Sequence, residues 1–193
     1  MASMTSVGSE HVEAAVSEMT RVLLPHAAAD WEVRAGTLEW SCWETAAHVA
    51  NDLVKYAAQV AGGATASYLP LHLVVAPSPP REVLKVVAAC GQLLSGAVEH
   101  AGPETLAWHW GLSDAAGFAA MGVAETLIHT HDITQGLGVE WRPPESLSQA
   151  VVDRLVPMPP PGRASDVLLW ATGRADLEGR PRISEWIWRA VPS

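Results

Sequence analysis

The chain has 193 residues with 21 acidic against 12 basic side chains, a formal charge of −9, which allows one domain with its own core. An acidic chain without a Lys/Arg stripe excludes a nucleic-acid backbone or an anionic bilayer as expected partner. Cys42 and Cys90 form no CxxC pattern, and neither a leader pattern nor an 18-residue apolar run is present, so the expectation is a cytoplasmic monomer or homodimer acting on a small molecule.

The pattern HVEAAVSEMTRVLLPHAAAD predicts a first helix from about Glu10 to Ala29, with a kink or an end at Pro25. WEVRAGTLEW reads as a loop that ends at a start signal, since Ser41-Cys42-Trp43-Glu44 fits a capping box. A second helix from Cys42 to about Ala61 follows, stopped by Gly62-Gly63. ATASYLPLHLVVAPSPP is an extended connection with room for a short strand. REVLKVVAACGQLLSGAVEH predicts a third helix, and Ser113-Asp114 caps a fourth that runs to about Gly136. A fifth helix is expected from Glu145 to Leu155, then the VPMPPPG connector, a short helix at DVLLWATG and a closing PRISEWIWRAV.

Four apolar helical faces without βαβ alternation predict an all-α four-helix bundle over residues 1–156. The extension 157–193 is too short for an independent core. It is expected to dock on the bundle through Leu168, Leu169, Trp170, Trp186 and Trp188.

The chemistry concentrates in ETLIHTHD on the fourth helix. At 100° per residue Glu125, His129 and Asp132 share one arc about 60° wide, whereas His131 points elsewhere. A Glu/His pair four residues apart offers a carboxylate oxygen and an imidazole nitrogen on one face, half a site for zinc or another divalent metal, although a helix-surface pair is the commoner meaning of that spacing. Asp132 could orient His129.

A third ligand must come from another element, among His11, His26, His48, His72, His100 and His109. Bundle geometry favours His48, near the middle of the second helix. On the helical wheel, however, it lies almost opposite the apolar face of Ala46, Ala50, Leu53 and Ala57, with Glu44, Asp52 and Lys55 for neighbours. It can be a ligand if that polar face lines a cleft at the open end of the bundle, covered by a connection such as Tyr68–Pro80.

Tyr68, Trp108, His109 and Trp110 are expected to shape an organic pocket. Cys42 in the first turn of helix two has no obvious base and reads as a small buried residue. No phosphate-cradling glycine loop, GxSxG, HExxH or EF-hand spacing occurs.

In WSCWETAAHVANDL, GFAAMGVAETLIHTHDI and DVLLWATGR the sequence resembles the mycothiol-dependent maleylpyruvate isomerase N-terminal-like branch of the DinB/YfiT-like metalloenzymes. The resemblance implies an antiparallel DinB-like bundle in which His48, Glu125 and His129 bind a divalent metal. Zinc is the first expectation, with nickel, iron and manganese as alternatives. It also implies an enzyme that activates mycothiol or a similar thiol for S-transfer to, or isomerisation of, an electrophilic small molecule. Two alternatives stand beside it: a thiol-independent metal-dependent hydrolase, lyase or cyclase, and a non-catalytic metal-stabilised binding protein.

Overall fold

The computed structural model describes residues 6–192. The elements run α1 Ser9–Leu23, α2 Cys42–Gly62, α3 Pro80–Glu99, the strands β1 Leu106–Trp108 and β2 Leu112–Asp114, α4 Ala115–Gly136, α5 Glu145–Leu155 and α6 Ala164–Ala171. Helices α1 and α2 each pack against both α3 and α4, while α5 lies on α4 and α6 on α5. The result is an all-α fold built on a helical bundle, with one small antiparallel hairpin. No helix among the described residues is long and apolar enough to cross a membrane.

Local chemistry sets the element ends. Ser41 Oγ accepts from the Glu44 amide at 3.1 Å and Glu44 Oε2 accepts from the Ser41 amide at 2.8 Å, so the capping box starts α2. Asp114 Oδ1 accepts from the Gly117 amide at 2.7 Å and from Arg154 Nη2 at 2.8 Å, which starts α4 and ties α5 to the same point.

The first helix stops at Leu23, earlier than its apolar pattern suggests, and continues as a single 3-10 turn, Leu24–His26. Pro25 has no amide proton to extend the α-helical ladder. The segment 64–79 contains no strand, and strands form instead at Leu106–Trp108 and Leu112–Asp114, where a loop was expected.

Helix α4 is buried on nearly every side, from Gly117 to Thr134, with Phe118, Met121, Leu127 and Ile128 wholly enclosed. Each such side chain contributes roughly 1.5–3 kcal/mol. Two glycines allow this enclosure. A Cβ at Gly122 would stand 2.4 Å from Leu94 Cδ2 of α3, and one at Gly136 would stand 2.3 Å from the Arg34 carbonyl oxygen. The loop before α2 can therefore lie across the end of α4, held by Cys42 N to Val33 O at 2.9 Å and Trp43 N to Trp31 O at 3.0 Å.

From the segment after α6, Trp188 and Ala190 enter the same hydrophobic core as α1–α5, and Leu168 and Leu169 of α6 are buried. Trp186 packs against that core, half-buried, and Trp170 donates to the Pro181 carbonyl at 2.9 Å.

Candidate metal centre

Adjacent packing of α2 and α4 brings one donor atom each from His48, Glu125 and His129 within 4.8 Å of one another. Among the described residues, this is the group of three such donors that converges. The His48 and His129 rings meet edge to face with centroids 5.0 Å apart, and Glu125 Oε2 lies 3.2 Å from His129 Nε2. His131, two residues on, is outside the group, with its buried Nδ1 unpaired.

Each α4 donor has its second atom already engaged. His129 Nδ1 is 2.9 Å from Asp132 Oδ2, the three-residue spacing that the wheel places on one arc. Glu125 Oε1 accepts from Trp188 Nε1 at 2.8 Å. Asp132 is in turn gripped by Arg174, Nη2 to Oδ2 at 2.8 Å and Nε to Oδ1 at 3.3 Å, while Arg174 Nη1 donates to the Thr172 carbonyl at 2.7 Å. The Arg174 guanidinium also sits 5.5 Å from the Trp186 ring centroid. On the α2 side, His48 is half-buried and its Nε2 lies 3.0 Å from Asp52 Oδ2.

Charge follows this wiring. Burial opposes a charged His129, but hydrogen bonds that it donates to Asp132 and Glu125 outweigh it and hold the imidazole up to about 9. Burial likewise works against the Glu125 carboxylate, and the neighbouring His129 and His48 and the Trp188 indole more than compensate, keeping it below the ordinary range. Asp132 is lowered against burial by His129 and Arg174. A compact buried imidazole flanked by carboxylates is where a divalent cation can replace a proton.

Two imidazoles and a carboxylate are the donor set of many zinc sites. A tetrahedral ion about 2.1 Å from each donor needs them about 3.4 Å apart. The Glu125–His129 pair, at 3.2 Å, already satisfies that spacing. The residues therefore fit a divalent metal, with Glu125 Oε2 and His129 Nε2 the atoms left available on α4 and His48 approaching from α2.

The three donors open into a cavity of about 440 Å³. Leu38 and Trp40 from the loop before α2, His109 and Trp110 from the hairpin, and Arg174 with Trp186–Trp188 from the tail line it. The cover expected from Tyr68–Pro80 is not on its wall. Tyr68 stands behind, its hydroxyl hydrogen-bonded to His109 Nδ1, and Trp108 packs on Tyr68 and Trp110 at centroid distances of 5.0 and 5.7 Å. The polar face of α2 does line a cleft, which reconciles the position of His48 on the helical wheel with its place beside Glu125 and His129.

Sequence reasoning missed Asp52, Tyr56, Trp40 and above all Arg174 as members of this site. The arginine closes the DVLLWATGR stretch, and that position was its only signal. Compared with protein-family models, curated proteins and solved structures, the chain matches none of them.

Proposed function

We propose that the chain is a divalent-metal-dependent enzyme that activates an external low-molecular-weight thiol for S-transfer to, or isomerisation of, a small electrophilic organic molecule. The observation that carries the metal reading is the convergence of His48, Glu125 and His129 at the floor of a tryptophan-lined cavity. When bound, a divalent ion, zinc by donor type, supplies a Lewis acid that lowers the pKa of a ligated thiol or water.

The chain's own residues do the rest. Asp132, clamped by Arg174, fixes the His129 ring and keeps its Nδ1 occupied. Trp188 fixes the Glu125 carboxylate in the same way. Trp40, Trp110 and Trp186 line the mouth and offer apolar faces to the organic part of a substrate.

The thiol comes from outside the chain. Cys42 and Cys90 are both buried, and burial pushes the Cys42 thiol up to about 11 and the Cys90 thiol upward as well. A mycothiol-like cosubstrate, implied by the ETLIHTHD and helix-two resemblance, fits that requirement.

Cobalt substitution tests both parts. The protein is expected to take up one cobalt ion per chain and to change its visible spectrum on titration with mycothiol. A spectrum unmoved by every thiol tried removes the thiol step and leaves the hydrolase, lyase or cyclase reading. Failure to take up any metal ends the metal reading itself.

A further inference from the structure

We infer that His109 is a further catalytic residue of this cavity, a neutral imidazole that donates a hydrogen bond through its Nε2–H to a carbonyl-type oxygen of the substrate. The inference rests on the reading of the cavity as an active site and adds to it a substrate class, molecules in which negative charge grows on such an oxygen.

Three observations carry it. First, His109 is only 8% exposed, yet it lines the same cavity as Glu125 and His129. Second, its two ring nitrogens are used differently. Nδ1 is paired with the Tyr68 hydroxyl, whereas Nε2 has no hydrogen-bond partner among the described residues and is not sealed in the interior. Third, the ring is held in place. Tyr56, Tyr68 and Phe118 surround it edge to face at 5.5, 5.7 and 6.3 Å.

The backbone is fixed as tightly. Trp108 N donates to Ala64 O at 2.7 Å, Gln59 Nε2 donates to Trp108 O at 3.0 Å, and His109 N donates to Gly111 O at 2.7 Å. The turn that follows holds Trp110 at φ 51°, a left-handed conformation unusual for a bulky residue. Such strain persists where surrounding structure over-determines it, as at sites that position a side chain.

The direction of the Tyr68 bond sets the tautomer. A phenol is the stronger donor and a neutral imidazole nitrogen the stronger acceptor. Burial, then the charges of Asp52 and Glu125, push Tyr68 up to about 12, so it keeps its proton. Burial lowers His109 despite the opposing pull of Glu125 and Asp52, so the ring is neutral. With Nδ1 accepting from Tyr68, the proton resides on Nε2, the nitrogen left for a ligand. A fixed neutral donor facing developing oxyanion charge stabilises it with no reorganisation at the moment of reaction.

Two measurements decide the matter. Long-range proton–nitrogen NMR on the metal-free protein is expected to show His109 protonated at Nε2 and bare at Nδ1 near neutral pH, with Tyr68→Phe weakening that preference. Wild-type protein carrying the proton on Nδ1 overturns the inference, whatever the fate of the metal reading. On the zinc-loaded protein, acetohydroxamate serves as the oxygen-bearing probe. His109→Phe is expected to weaken its binding about tenfold, and His109→Gln, which retains an N–H donor, to recover most of the loss. Equal affinity in wild type and His109→Phe overturns the inference. Absence of zinc uptake by the wild type defeats the metal reading instead, and the NMR result still decides for His109.

Discussion

The two sides of the candidate centre are built differently. On α4, Glu125 and His129 are 5% and 4% exposed, and each has its second polar atom tied by Trp188 or by the Asp132–Arg174 pair. On α2, His48 has 28% of its side chain exposed, leans on the exposed Trp40 ring at 4.6 Å and pairs with Asp52 on the adjacent turn. One side is held by hydrogen bonds from the tail and from Asp132, and the other by a partly solvated pair with Asp52. Positioning on α4 thus comes from distant elements that reach a buried helix, whereas on α2 it comes from neighbours on a partly solvated helical face.

The sharpest way to break that contrast is Asp132→Ala. It leaves the half-buried Arg174 without its carboxylate and strips His129 of its Nδ1 partner. A loss of about 3–5 kcal/mol in urea unfolding of the metal-free protein is expected. A loss near zero means that the α4 side is not held as described.

The pH dependence comes next. With His129 held up to about 9, its contribution is full below the unfolded value of about 6.5 and disappears as pH rises through 9. Glu125 and Asp132, both lowered, contribute above about pH 4.5 and lose that contribution as pH falls through their folded values. The combined contribution of these three groups is therefore largest between roughly pH 5 and 6.5, and declines by at most roughly 3 kcal/mol toward pH 9. Zinc in place of the His129 proton flattens the alkaline limb, a difference that thermal melts across pH will reveal.

Glu125→Ala and His48→Ala sharpen the comparison more gently. Both are expected to lose stoichiometric zinc by elemental analysis. Glu125→Ala costs about 2 kcal/mol of metal-free stability, because His129 and Trp188 lose a buried acceptor. His48→Ala costs under about 1 kcal/mol, since its pair with Asp52 is partly solvated. Equal stability costs erase the distinction between the two sides. Trp188→Phe is expected to cost about 1 kcal/mol in the same unfolding assay for the lost hydrogen bond to Glu125.

What could be read from sequence was local. Ser41 with Glu44, and Asp114, mark the starts of α2 and α4 through side chains that bond amides three residues away. Glu125, His129 and Asp132 fall on one arc because helical geometry alone decides it. The expected break of the first helix at Pro25 is where the α-helix gives way to a 3-10 turn, although apolar spacing continues to Ala29. The hairpin escaped because strands of three residues carry too little alternation to register as strands.

Trp188 and Arg174 escaped for another reason. Their hydrogen bonds to Glu125 and Asp132 span 63 and 42 residues, and no periodicity encodes such a separation. His48 is the intermediate case. The wheel gave its polar surroundings, while the cleft that makes use of them required the tail and the loop at Trp40 to be in place.

The 63-residue interval between Glu125 and Trp188 orders events during synthesis. At 5–20 residues per second, a translating ribosome completes α2 and α4 roughly 3–10 s before the indole that caps the carboxylate. Both helices that carry the donors are thus made before Arg174, Trp186 and Trp188, the tail residues that line the cavity mouth.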